Sequence, residues 1–248
     1  MKYQPKSKEE LKELIKDENI YLGTIDILNI NITDLNYLFA NSRRKNFDGI
    51  ENWVLTNIKS LDYTFKNAVY FNHNITKWGN SMCQVESMEG TFEGAISYNQ
   101  PLNGMNTNRV KTFKRLFANA VSFNSPLDKL DTSSLETIEE MFLNAVSFNR
   151  PLNDLDVSKV ETMDRSFLGA ISFNQPLDKW NVENVITLIS IFEEAKSFNQ
   201  DISMWNLLKA TDITGMLYNA ISYSYPLKKL TAPSLVNWGD AIKGTKLI

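Results

Sequence analysis

The chain has 248 residues, of which 43% are hydrophobic and 22% are charged, so it can bury a sizeable core. Its formal net charge at pH 7 is −3 and its pI is near 5.4. Nucleic acid and anionic membranes attract basic surfaces, so we expect neither as a partner, and no direct membrane insertion. The one cysteine, Cys83, cannot form a disulfide within the chain.

The first 30 residues predict an N-terminal cap. Ser7 and Glu10 have the spacing of a capping box, and Leu11, Leu14 and Ile15 form an apolar stripe after them. An amphipathic helix over residues 7–17 would cover the first layer of a stacked core. The opening lysines are not followed by an apolar stretch of roughly 7–15 residues, so this is not a signal peptide. We therefore expect a cytoplasmic protein, or an exported one whose leader has been removed.

The chain then repeats itself every 25 residues. The phrase SFNSPLDKL recurs with small changes at 122–130, 147–155, 172–180 and 197–205. A period of roughly 20–50 residues is typical of a solenoid, in which stacking of neighbouring repeats buries the core. We predict a single domain over 1–248. It comprises a cap at 1–30, about eight repeats at 31–234 and a partial ninth repeat at 235–248.

Each repeat carries the apolar spacing of a short helix. One copy has its apolar residues at Val160, Met163, Phe167 and Ala170. Separations of three, four and three follow one face of an α-helix of about three turns. Ser158 and Glu161 stand at capping-box spacing where that helix would begin. The pattern predicts one short helix per repeat.

The second half of each repeat predicts a strand. A proline often precedes the phrase Leu-x-x-Trp or Leu-x-x-Leu, as in PLDKW at 176–180. Because proline cannot donate to a ladder, we place a short parallel strand at or just after it. Strands stack about 4.8 Å apart, whereas helices need about 8–10 Å, so the array would curve. The predicted fold is an α/β repeat solenoid, a right-handed leucine-rich-repeat-like array with one strand and one helix per repeat.

An asparagine follows the second aromatic residue in six copies. These residues are Asn72, Asn99, Asn124, Asn149, Asn174 and Asn199. One amide per layer can bond the repeats above and below, as in an asparagine ladder. An oxyanion role is the alternative, but chemistry needs one convergent site and six equivalent copies serve stacking.

Few residues suggest catalytic or metal chemistry. His73 is the only histidine, and it occupies a position where other copies have glutamine. One histidine and one cysteine cannot build the common zinc sites, and no phosphate-binding loop is present. Asp131 and Asp156 share a repeat position, which we interpret as a turn position and alternatively as a cation site. We expect no catalytic residue, no bound metal and no cofactor.

The repeated phrase FNQPLxxW, followed by Asn-Val, V-x-x-M/L and a phenylalanine before Asn-Ala, resembles the BspA-type leucine-rich-repeat proteins. These are also described as having mycoplasma-lipoprotein-type repeats. The resemblance covers about residues 20–245. It implies a bacterial protein, often displayed on the cell surface or secreted, that serves adhesion or protein binding without shared catalytic residues.

We predict a non-enzymatic binding or adhesion protein for a protein or glycan ligand. Its candidate contact residues occupy one variable position between constant apolar columns. They are Lys129, Asp154, Lys179, Met204 and Lys229. An intracellular structural or regulatory scaffold that self-associates through the C-terminal edge is the alternative. An enzyme with its site on the irregular first copy, around 43–53, is the third class.

Overall fold

The computed structural model describes residues 2–28, 31–227 and 230–247. Within these ranges the one α-helix is α1, Lys8–Lys16. Short 3-10 helices occupy Leu22–Thr24, Ile50–Asn52 and Thr76–Asn80. The only β-pairing in the described part consists of isolated bridges. The prediction of an α/β solenoid with one helix and one strand per repeat is therefore wrong.

Successive repeats are joined by parallel bridges. One column of bridged residues runs through the whole stack. It consists of Asp34, Ser60, Ser87, Thr112, Thr137, Thr162, Thr187, Asp212 and Asn237. These residues do not lie in the phrase PLDKW, where the strand was predicted. Each lies five residues before an apolar residue that recurs once in every repeat, such as Phe167. We call this recurring residue the marker. The repeats thus stack in register, with one bridge of this column between each pair of neighbouring repeats.

The segment predicted as a helix is a series of overlapping tight turns. Arg165 and Gly169, which flank Phe167, have φ angles of 54° and 67°. L-residues in this left-handed region cannot continue a right-handed helix. The turns close through hydrogen bonds from the Leu168 N–H to the Arg165 carbonyl, at 3.2 Å, and from the Ala170 N–H to the Phe167 carbonyl, at 3.0 Å. Apolar spacings of three and four fit these turns as well as they fit a helix.

Every second N–H group in this segment donates a hydrogen bond to the next repeat. The N–H groups of Met163, Arg165, Phe167 and Gly169 donate to the carbonyls of Thr187, Ile189, Ile191 and Glu193, at 2.8–3.1 Å. The same alternation recurs along the stack. These N–H groups all point towards the C-terminal end of the stack, and their carbonyl acceptors all point towards the N-terminal end. The hydrogen bonds in this part of the stack therefore all run in one direction.

Stacked aromatic rings fill the core. The ring centroids of Phe142 and Phe167 lie 5.4 Å apart, as do those of Phe167 and Phe192. A second column, which includes Phe148 and Phe173, packs beside the first. Helix axes need about 8–10 Å between them. Layers at the observed spacing have no room for a helix in each repeat, which is the physical reason for the turns.

The N-terminal capping helix is confirmed. Leu11 and Ile15 of α1 are buried against the first repeat, and the Ser7 Oγ accepts a hydrogen bond from the Glu10 N–H at 3.2 Å. The buried guanidinium of Arg44 donates to the carbonyls of Ile15 and Asp17, at 3.1 and 2.9 Å. Arg44 thereby satisfies carbonyls that the end of α1 leaves unpaired.

Candidate functional site

The predicted contact residues lie at the tip of a tight turn. In the copy around Lys179, the Trp180 N–H donates to the Leu177 carbonyl at 3.2 Å, and both of these side chains are buried. The two residues between them, Asp178 and Lys179, are exposed. The predicted strand face is therefore a row of outward turns, one per repeat.

Buried indoles hold two of these turns in place. The Trp180 Nε1–H donates to the Leu152 carbonyl of the preceding repeat at 2.9 Å, and the Trp205 Nε1–H donates to the Leu177 carbonyl at 3.1 Å. A buried indole N–H needs such a partner. Each of these two tryptophans thus ties its own turn to the turn before it. The turns that carry Lys129 and Asp154 end instead in the buried Leu130 and Leu155.

The structure brings the predicted contact residues into one exposed column. Lys129, Asp154, Lys179 and Met204 stand at the same position in consecutive repeats and are all exposed, Met204 by 72%. Lys229 lies outside the described residues. Lys179 Nζ lies 3.4 Å from Asp154 Oδ1. The column therefore mixes charges, so the lysines do not form the uninterrupted basic line that their sequence position suggests.

In the column beside it, which includes Asn103, Asp128, Asn153 and Asp178, side chains form hydrogen bonds between neighbouring repeats. Asn153 Nδ2 donates to Asp178 Oδ1 at 2.8 Å, and the Lys179 N–H donates to Asn153 Oδ1 at 3.1 Å. The same arrangement links Asn103 to Asp128, at 3.0 Å. These carboxylates are engaged within the stack, so the freer groups for an external ligand are those of the Lys129 to Met204 column.

The asparagine column is structural, as predicted. Each Oδ1 accepts the backbone N–H of the equivalent residue one repeat later, for example Asn174 from Asn199 at 2.9 Å. Asn149 accepts from Asn174 at the same distance, and Asn124 accepts from Asn149 at 3.0 Å. The amides are thus consumed by stacking.

The acidic turn column has local partners. Asp131 Oδ1 accepts from the Ser133 hydroxyl at 2.6 Å and from the Ser133 N–H at 3.0 Å. These hydrogen bonds hold the pKa of Asp131 below its usual value, and bonds from Ser158 do the same for the pKa of Asp156. The turn interpretation is confirmed. No helix begins after Ser158, so the helix cap predicted there is wrong.

His73 lies beside two carboxylates of the irregular first copy. Its Nε2 lies 2.8 Å from Glu51 Oε2 and its Nδ1 lies 3.7 Å from Asp48 Oδ1. The described residues contain no group of His, Cys, Asp or Glu that could hold a metal ion. Cys83 is an exposed free thiol.

One surface feature was missed from the sequence. An exposed aliphatic column, Ile96, Val121, Val146 and Ile171, lies four residues after the recurring aromatic residue of each repeat, such as Phe167. The apolar periodicity gave a signal there, but it resembles a core pattern.

A family described as "Mycoplasma protein of unknown function, DUF285" matches the chain twice, over residues 33–154 and 144–247. The two matches together cover most of the chain. The chain belongs to this family. The resemblance to mycoplasma-type repeats is confirmed at this level, and the two matches of the DUF285 family fall on the repeats and leave out the capping helix. A search of curated proteins finds no match.

Among the described residues, no helix is both long enough and apolar enough to cross a membrane.

Proposed function

We propose that this DUF285 protein is a non-enzymatic binding or adhesion protein that recognises a protein or glycan ligand through the exposed face of its repeat stack. The supporting observation is the column Lys129, Asp154, Lys179 and Met204, in which a hydrogen-bonded turn presents lysine, aspartate, lysine and methionine in successive repeats. A constant frame with variable exposed positions suits recognition.

The resemblance to BspA-type proteins supports the adhesion role within this proposal. It rests on the phrase FNQPLxxW and its companions. A place at the cell surface belongs to the same proposal.

The experiment measures binding of the intact chain to arrays of defined glycans and purified extracellular proteins. Lys129→Glu combined with Lys179→Glu should weaken binding of any ligand found by at least tenfold, because both tips lie in the proposed surface. Lys159→Glu with Lys209→Glu is the matched control, since both lysines are exposed on another part of the repeat and the net charge changes equally.

Circular dichroism and melting of both double variants should match the parent, since all four lysines are exposed. Binding that is equally weakened by the control pair, or unchanged by the first pair, would remove the ligand from this column.

A further inference from the structure

The exposed aliphatic column forms a ridge along four consecutive repeats. We call its residues, Ile96, Val121, Val146 and Ile171, the aliphatic ridge; each is between 37% and 44% exposed. Hydrogen bonds between layers hold its backbone. The Ser147 N–H donates to the Val121 carbonyl at 3.2 Å, and the Ser172 N–H donates to the Val146 carbonyl at 3.3 Å. The ridge is therefore a fixed apolar surface in the middle of the stack.

The two columns that flank the ridge carry no charge in these four repeats. The column two residues earlier consists of Gly94, Asn119, Asn144 and Gly169. The column one residue later consists of Ser97, Ser122, Ser147 and Ser172. Single exposed apolar residues are ordinary on a protein surface, whereas a contiguous apolar patch marks an interaction site. The ridge and its flanks form such a patch.

The order of residues on this patch is the same in both directions along the stack. The ridge reads Ile, Val, Val, Ile, and the column before it reads Gly, Asn, Asn, Gly. In a two-fold symmetric dimer, residue i of one chain contacts residue j of the other, and j contacts i. A two-fold axis that crosses the stack between Val121 and Val146 pairs each ridge residue with its equivalent from the other end. The patch is therefore complementary to itself.

We propose that two copies of this chain associate in antiparallel orientation through the aliphatic ridge. Val121 of one copy faces Val146 of the second copy, and Ile96 faces Ile171 of the second copy. This contact removes apolar surface from water. It buries no charged side chain of the ridge or of its two flanking columns.

Opposite charges meet at both ends of this contact. Lys66 and Glu193 occupy the same position of their repeats, one residue after the marker, on either side of the four ridge repeats. The antiparallel arrangement brings Lys66 of one copy opposite Glu193 of the other, and the symmetry forms this pair twice. Lys66 Nζ also lies 3.2 Å from Glu93 Oε1 of its own chain. Such pairs across an interface fix its register.

Lys196, which follows the ridge in the same column, disfavours the other registers. It lies opposite Val69 in the proposed register, at the end of the patch, where its Nζ remains in water. A shift by one repeat in one direction places it on Ile96 and buries its charge. A shift in the other direction places it opposite Arg43. A parallel dimer places it opposite Lys196 of the second copy. Unpaired buried charges and like charges in contact are costly.

The first test is the oligomeric state of the intact chain by sedimentation velocity over a range of concentrations. A reversible monomer–dimer equilibrium is expected. Val146→Asp should weaken dimerisation at least tenfold, because it places a carboxylate against Val121 twice in each dimer. Ile186→Asp is the matched control, since Ile186 is an aliphatic residue outside the ridge with 41% exposure. It should dimerise like the parent. Both side chains are exposed, so circular dichroism and melting should show folded variants.

Disulfide cross-linking tests the register, in a Cys83→Ser background that removes the natural thiol. A mixture of the Val121→Cys and Val146→Cys proteins should form a cross-linked dimer at least tenfold faster than either protein alone. The two single variants are each other's controls, because a register shifted by one repeat would cross-link one of them to itself.

A chain that remains monomeric at every concentration up to about 1 mM overturns the proposal. So does a dimer that Val146→Asp leaves unchanged, or one that Ile186→Asp weakens equally. Self-cross-linking of one cysteine variant that is as fast as that of the mixture overturns the register.

This inference does not rest on the proposed function, because it concerns a different column of the repeat. The Lys129→Glu and Lys179→Glu double variant should dimerise like the parent chain. The two proposals therefore fail separately.

Discussion

At one position of each repeat, residues other than glycine often adopt the left-handed backbone conformation. Two residues before the apolar marker, φ lies between 54° and 58° in seven described copies that lack glycine there. They are Tyr37, Tyr63, Arg115, Glu140, Arg165, Ser190 and Asp240. Such a conformation costs about 1–2 kcal/mol per residue, and the hydrogen bond to the next repeat offsets it. Gly90 and Gly215 relieve the cost in two further copies.

Ser190→Gly should therefore stabilise the protein. Ser190 has φ of 55°, so removal of its side chain relieves strain, and we expect a gain of a few tenths to about 1 kcal/mol in the free energy of unfolding. In a helix interior the same change would cost about 0.5 kcal/mol. Urea unfolding of parent and variant gives the sign. Lys159→Gly, at an exposed residue without positive φ, is the control and should destabilise.

Tyr98 is a buried residue, and removal of its hydroxyl should stabilise the protein. Its ring stacks in the second aromatic column, where equivalent copies have Phe123 and Phe148, and burial raises the pKa of its hydroxyl. Within the described residues this hydroxyl has no hydrogen-bond partner. Tyr98→Phe should raise the free energy of unfolding by about 1 kcal/mol. The reverse change, Phe123→Tyr, should lower it; a loss in both variants would mean that the Tyr98 hydroxyl is satisfied.

Asn174 carries one rung of the asparagine ladder. Its Oδ1 accepts from the Asn199 N–H at 2.9 Å and from Gln200 Nε2 at 2.8 Å. Asn174→Ala should lower the free energy of unfolding by about 1–3 kcal/mol, because it leaves a partly buried N–H unpaired. Asn174→Asp keeps an acceptor oxygen and should cost less. Equal losses would show that the hydrogen bond is not the source of the stability.

Each repeat forms one layer of the stack, and the stacking of aromatic rings stabilises the layers. Phe167 is fully buried and lies 4.3 Å from Phe173, centroid to centroid, within its own layer. Phe167→Ala should cost about 3–5 kcal/mol. Lys179→Ala, at an exposed turn tip, should change stability by less than about 0.5 kcal/mol. Thermal melting of the two variants compares them directly, and similar losses would contradict the assignment of core and surface.

Much of the layer could be predicted from the sequence. The period, the core columns, the capping helix and the asparagine ladder follow from residue type and spacing alone. The backbone path could not be predicted in this way, because a helix and a series of tight turns share apolar spacings of three and four. The decisive signal was Asn119, Asn144 and Gly169 two residues after the marker, since asparagine and glycine favour the left-handed region. The prediction treated that position as part of a helix.

The candidate surface could be predicted in part. The Lys129 to Met204 column was found because its exposure follows from the 25-residue period. Its mixed charge was not predicted, since Asp154 stands between the two lysines and pairs with Lys179.

At the scale of the whole molecule, the central claim is that the repeats are stacked turns with no repeating helix. Backbone NMR of the full chain, which reports φ residue by residue, tests it most directly. We predict positive φ at Arg165, Ser190 and Asn219, and helical values confined to α1 and the short 3-10 segments among the described residues. Continuous negative φ with helical chemical shifts over residues 160–170 and their equivalents would contradict the account.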